Sequence, residues 1–310
     1  MNQKNQKNQK HNLETNSPNT NNGSPSAAPS ISAQALAKFC DDYLDPNAFK
    51  DYCPNGLQVD GGRPIQRIIT GVTACEALID AAIDADADAI MVHHGYFWKG
   101  EPEPITGMKG KRIRKLMQHG ISLIAYHLPL DAHPIVGNNA KLAESLGLTI
   151  TGALYPHETH PVGNIAIGKP QSAADLIETI TQTLERKPLH IASDFSLSGS
   201  DTYQSLISNK ENQQIDATSV VTTASKKIER IAICTGGAQD MIEQAALMDC
   251  DAYISGEISE RTTHSARELG IDYFACGHHA TERGGIQALG ELVSEQFNLS
   301  VTFVDIVNPA

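Results

Sequence analysis

Three absences bound what this chain can be. Its six cysteines (Cys40, Cys53, Cys75, Cys234, Cys250, Cys276) include no CxxC pair and no regular spacing, which argues against thiolate zinc motifs and disulfide frameworks. Buried free thiols are the plain expectation. Basic residues are also scarce, 24 Lys and Arg against 36 Asp and Glu, for a net charge of −12. That balance disfavours nonspecific attraction to nucleic-acid backbones or anionic membranes and leaves room only for a local basic pocket. Long apolar runs are missing as well: the N-terminal lysines precede no apolar signal-type segment, and no run is long enough to span a bilayer. The expected compartment is therefore the cytoplasm.

What is present is ordinary for a globular protein: 310 residues, 40% hydrophobic and 19% charged, enough for one to three domains, with two the central expectation. Residues 1–32 begin with a threefold NQK repeat and continue through Asn, Ser, Thr and Pro. With almost nothing to bury, this stretch reads as a disordered polar tail. A second polar stretch, at about 198–227, reads as a surface loop or insertion. Elsewhere short β-branched runs (RIITGVTA, AIMVHHG, ISLIAYHL, NIAIGK, RIAICTGGA, DAYISGE, FACGHH, VTFVDIV) alternate with amphipathic segments such as CEALIDAAIDAD, SAADLIETITQTLER and ERGGIQALGELVSEQF. This alternation predicts an α/β chain with layered sheets, whose functional groups gather at the carboxyl ends of strands.

Two histidine pairs lie at such ends. In AIMVHHG, His93 and His94 point to opposite faces within a strand and share a site only where the backbone turns, as Gly95 permits. They read either as ligands of two neighbouring cations or as one buried and one exposed histidine. In AYHLPLDAH, Pro129 ends the strand and places Asp131 in the loop beyond it, as a bridging carboxylate or a turn former. His127 and His133 are reserves that orient Asp131 or meet substrate. In GHHATERGG a helix beginning after Gly277 puts His278 and Glu282, four apart, on one face, with His279 turned roughly 100° away. His93, His94, Asp131, His278 and Glu282 together offer three imidazoles and two carboxylates, about the number that two divalent ions with open water positions require. The donor types favour Zn, Mn, Fe, Co or Mg. Gly236 and Gly237 form a phosphate cradle or simply a tight strand-to-helix turn. Glu257 is a third acid near the metals or a helix-start charge.

NGLQVDG (55–61), MVHHGYFWKG (91–100), AYHLPLDAHPIVGNN (125–139), GGA (236–238), DAYISGEISE (251–260) and GHHATERGG (277–285), in this order, resemble the NIF-three-like dinuclear-metal-centre family, also called GTP cyclohydrolase 1 type 2 homologues. The resemblance runs from about residue 33 to the end. It implies the same five metal ligands, two divalent ions per chain, and two interleaved α/β lobes. The first lobe takes in 33–130 and 275–310, the second 131–274 with the 198–227 insertion. It also implies a toroidal homohexamer with a small-molecule substrate. The family label names a hydrolase in which water attacks C8 of guanine and formate leaves; Glu257, His127 or His264 would move protons. Phosphoester or amide hydrolysis suits the same donors, and the alternative is a non-catalytic metal-binding scaffold or metallochaperone.

Overall fold

The computed structural model describes residues 29–193 and 226–310. The polar tail falls outside the described residues up to 28, and the polar insertion does so apart from Lys226 and Lys227. At the tail's end Ile31 already forms a backbone bridge to Ile65, and Ser32 caps the Ala33–Leu44 helix by accepting from Ala35 N–H.

Among the described residues, eleven strands form two sheets. The first takes β1 (Gly56–Val59), β2 (Arg67–Thr73), β3 (Ala89–His94), β4 (Ser122–Ala125) and β11 (Ser300–Phe303) in the order β1-β4-β3-β2-β11. Only β1 runs antiparallel to its neighbour. Buried on both faces, β3 reads AIMVHH with no polar residue before its end, as a central parallel strand must. On one face the Arg283–Phe297 helix buries Ile286, Leu289 and Val293 beside Leu36 of the first helix. On the other lie Leu78 and Ile79 of the Glu76–Asp84 helix and Leu116 of the Gly107–His119 helix. Each such side chain contributes about 1.5–3 kcal/mol when fully buried.

The second sheet takes β5 (Thr149–Ala153), β6 (Asn164–Gln171), β7 (Leu189–Ile191), β8 (Ile228–Cys234), β9 (Ala252–Ser255) and β10 (Asp272–Ala275) in the order β5-β6-β8-β9-β10-β7. Its centre, β8-β9-β10, is parallel and its flanks are antiparallel. The fold is thus α/β with two helix-flanked layers. The first sheet draws strands from both ends of the chain and encloses the second in sequence. Cys40, Cys53, Cys234, Cys250 and Cys276 are buried free thiols, and Cys75 is a half-buried one. No helix among the described residues is long and apolar enough to cross a membrane.

Candidate metal centre

The carboxyl ends of five strands converge on one point. From the first sheet, β3 delivers His93 and His94, and β4 leads into the Leu128–Ala132 helix carrying Asp131. From the second, β8 runs into Thr235 and Gly236, β9 into Gly256 and Glu257, and β10 into Gly277 and His278. Backbone bonds stitch the last three turns together: Gly256 N–H donates to Gly236 O at 3.0 Å and Gly277 N–H to Gly256 O at 2.9 Å.

All five ligands expected from the sequence meet here. His93 Nε2 stands 3.4 Å from Asp131 Oδ1 and 3.5 Å from Glu282 Oε1; Glu282 Oε2 is 3.3 Å from His94 Nε2 and its Oε1 is 3.2 Å from His278 Nε2. Two donor groups result, His93–Asp131–Glu282 and His94–His278–Glu282, with Glu282 in both. Asp131 belongs to the first alone, so of the two carboxylates only Glu282 is placed to bridge. Each imidazole has its far nitrogen engaged, which fixes the ring. His93 Nδ1–H donates to Tyr126 O at 2.8 Å, His278 Nδ1 meets Glu257 Oε1 at 2.7 Å and His94 Nδ1 meets Thr73 Oγ1 at 3.1 Å. Asp131 Oδ1 accepts from Asn138 Nδ2 at 2.8 Å and from Thr235 Oγ1 at 3.3 Å.

These residues fit a divalent cation on two counts. Buried His93 Nε2 and Glu282 Oε2 have no hydrogen-bond partner, a cost of about 1–3 kcal/mol each that a coordinated ion removes. Donor atoms around a tetrahedral ion with bonds of about 2.0–2.1 Å stand roughly 3.3 Å apart, and the separations here run from 3.2 to 3.5 Å. The electrostatics without a cation agree. Burial pulls the His93 imidazole down, but Asp131 and Glu282 hold it up at about 9. Burial likewise opposes charge on His278, while Glu282 and Glu257 hold it up at about 9. His94 is pushed down to about 3 by burial and by the charge on His93. Burial raises Asp131, with Glu282 adding to the effect; Glu282 resists its own burial through His93 and His94 and stays well below the usual carboxylate range. Protons stand in for cations in this cluster.

Several local expectations need correction. Asp131 is not in a loop: Pro129 sits in the first turn of a short helix, where its missing N–H is harmless. The helix after Gly277 is not continuous: His278–Thr281 forms one turn, Glu282 breaks it at φ −110° and ψ 9°, and Arg283–Phe297 follows. His278 and Glu282 still meet, because both face the strand ends. His279, turned away from the cluster as expected, is buried and bonds Asp305 at 2.7 Å. His264 is exposed and pairs with Glu260 at 3.3 Å, outside the cluster. His133 also stays outside it; its Nδ1 accepts from Ile135 and Val136 N–H. Gly236 serves close approach, since a Cβ there would come 2.2 Å from Glu282 Oε1.

Glu257 and His127 do border the centre. His127 groups with His93 and His94, and its Nδ1 is held 2.6 Å from Asp51 Oδ1. Asp51, Asn138, Asn139 and Thr235 are the residues the sequence reading missed. The Asn138–Asn139 doublet, fully buried in the first turn of the Asn138–Ser145 helix, was the one available signal: Asn138 Oδ1 accepts from Gly285 N–H, and Asn139 Oδ1 from Thr235 N–H.

Comparison with known proteins bears on residues 31–309. It is 51% identical over 277 residues to the GTP cyclohydrolase 1 type 2 homolog of Vibrio cholerae, covering 88% of this chain and 98% of the relative. It is 44% identical over 281 residues to the like-named protein of Pseudomonas aeruginosa, covering 90% and 99%. A solved structure titled "protein ybgI, unknown function" superposes with a TM-score of 0.77 at 43% identity, over 90% of this chain and all of that one. Residues 31–309 match the model of the Duf34/NIF3 (NGG1p interacting factor 3) family, and it is to this family that the chain belongs.

Proposed function

We propose that this protein holds two divalent cations at the junction of its sheets and hydrolyses a small nucleotide-like substrate there, with ring opening of GTP as the most specific version. The observation that carries the reading is Glu282, buried, common to two donor groups and surrounded by the imidazoles of His93, His94 and His278. His93, Asp131 and Glu282 would hold one cation, and His94, His278 and Glu282 the other. Bound there, paired divalent ions activate water and polarise an electrophilic substrate atom.

The chain's own groups divide the remaining work. His93, Asp131 and Glu282 are closed off from solvent, whereas His94, His278 and Glu257 are partly open, so substrate enters from the His94–His278 side. Glu257, bonded to His278 Nδ1, keeps a carboxylate at that mouth, and His127, steadied by Asp51, brings an imidazole to its rim. Either is placed to accept or return a proton. Trp98, whose ring centroid lies 4.9 Å from that of His127 and 5.8 Å from that of His94, offers an aromatic surface beside the opening; this favours a substrate with a planar ring. The names of the relatives support the guanine-ring version.

The test is metal content per chain on protein purified without added metal, with formate release from GTP and turnover of phosphoester and amide panels on the same sample. Two metals with turnover is the expected result. Two metals with no turnover on any panel would move the function to metal binding or delivery, and no metal after reloading would remove the site. We also propose the homohexamer that the family resemblance implies. Light scattering should give a mass six times that of the chain, and a monomer or dimer would refute it.

A further inference from the structure

The corner carrying His278 and Glu282 cannot hold its own shape. The His278–Thr281 helix is a single turn with no side-chain N-cap, entered from Gly277 at φ +95° and left through the irregular Glu282. An isolated turn this short lies far below the length at which a helix stabilises itself. Its geometry must come from contacts outside it.

Besides the turn after β8 and the Asn138 amide, those contacts are made by the segment after β11. Asp305 Oδ1 lies 2.7 Å from His279 Nε2, and Asp305 Oδ2 accepts from Arg283 at 3.1 Å. One carboxylate therefore grips the two residues that directly follow the two ligands. Arg283 passes the restraint on, donating its other terminal nitrogen to Leu184 O at 2.8 Å, at the end of the Ala173–Leu184 helix. Further along the segment, Arg186 donates to Pro309 O, and Ala310 O accepts from His279 N–H at 3.2 Å. The Arg186 guanidinium also lies where a Cβ on Gly277 would come within 2.9 Å of it. Both ends of the corner are thus held by the same strap.

We propose that Asp305 is a positioning residue for the metal centre: through His279 and Arg283 it sets the corner from which His278 and Glu282 reach the cations. This rests on the metal-site reading above. Asp305 touches neither proposed cation nor substrate, and its effect passes through the placement of the two ligands. Carboxylates bonded behind metal ligands typically change affinity by about 10- to 100-fold when removed, and the same range is expected here.

The experiment is titration of metal-stripped full-length protein with Co2+, read by the visible d–d spectrum and by competition with a chelator. It is run on wild type, Asp305→Asn, Glu282→Gln and the double variant, with circular dichroism on each. Asp305→Asn should weaken Co2+ binding about 10- to 100-fold and alter the d–d bands while the far-ultraviolet spectrum stays unchanged. In the Glu282→Gln background it should add less, because one of the two ligands it positions is already lost. Wild-type affinity and spectrum in Asp305→Asn would overturn the proposal. So would an equal loss in both backgrounds, the mark of a general fold defect. Failure of wild type itself to bind Co2+ would instead refute the metal-site reading. If Asp305→Asn does not fold, Arg283→Met, which removes one of the two contacts, is measured in its place against the same two results.

Discussion

Replacing Gly236 by alanine separates the cost to the fold from the cost to the metal site. Gly236 has φ +69°, a left-handed conformation that costs a residue with a side chain about 1–2 kcal/mol. For a domain of this size that is a fall in melting temperature of only several degrees. The steric effect is of another kind. The new methyl would sit 2.2 Å from Glu282 Oε1 and 3.2 Å from His278 Nε2, about 1 Å inside the closest tolerable approach to the carboxylate. The backbone at Gly236 is held by its N–H to Thr281 Oγ1 and by its carbonyl accepting from Gly256 N–H, so the carboxylate is what retreats. A retreat of 1 Å breaks a coordination bond of about 2.1 Å, and Glu282 is the donor both groups share. Chelator competition with Zn2+ should therefore show both steps weakened, by at least about 100-fold, the upper end for losing an outer partner. Gly237→Ala is the control, because its methyl would meet Glu257 and His278 at ordinary contact distances of 3.6 and 3.8 Å. Wild-type metal affinity in Gly236→Ala, or equal losses in the two variants, would refute the reasoning.

Metal uptake should release protons. His93 and His278 are held at about 9 without a cation, so at pH 7.5 both give up a proton on coordination. Calorimetric titrations in buffers of different ionisation enthalpy should show at least one proton released per chain, with affinity falling as pH drops; buffer-independent heats would contradict the assignment. The same raised imidazoles stabilise the metal-free fold below their unfolded value of about 6.5, and that contribution disappears as pH rises through about 9. Metal-free protein should melt lower at pH 9.5 than at pH 6.5. Glu282→Ala should cost both cations and Asp131→Ala only the one beside His93, because only Glu282 belongs to both donor groups; elemental analysis giving two metals per chain in either variant would refute this division.

The eight β-branched runs read from the sequence all became strands; those of the central parallel strands β2, β3, β4, β8, β9 and β10 are largely buried and apolar and so stand out locally, while β6 and β11 were legible from their β-branched residues alone. The strands that escaped notice, β1, β5 and β7, lie at or near sheet edges, where one face or one side is open and the pattern is diluted: β5 has no buried residue and β7 only half-buried and exposed ones. The Gly107–His119 helix escaped for a similar reason. It buries only Gly110 and Leu116 and covers its flank with Lys111 and Lys115, which pair with Glu76 and Asp80 of the neighbouring helix. Its apolar stripe is too thin to read as a period.

The five candidate ligands were legible because each belongs to a short motif at a strand end, where residue type and neighbours already limit what the side chain can do. Their relative placement was not, because it depends on groups far apart in the chain. Asn138 shows why. Its amide nitrogen donates to Asp131 and its oxygen accepts from Gly285 N–H, across 147 residues. A Cβ on Gly285 would come 2.3 Å from that oxygen. The doublet partner Asn139 takes the N–H of Thr235 from the second sheet, and Thr235 returns to Asp131. Two buried amides thus tie the helix carrying Asp131, the helix after Glu282 and the end of β8 into one polar network. Leaving a member of such a network unpaired is costly, and both polar atoms of the Asn138 side chain and the Asn139 Oδ1 are paired, with Asn139 Nδ2 the exception. These bonds restrict how the three elements sit, with Asp131 and Glu282 at the same imidazole, His93. Local motifs supplied the donors; nonlocal amide bonds hold Asp131 against the helix that follows Glu282.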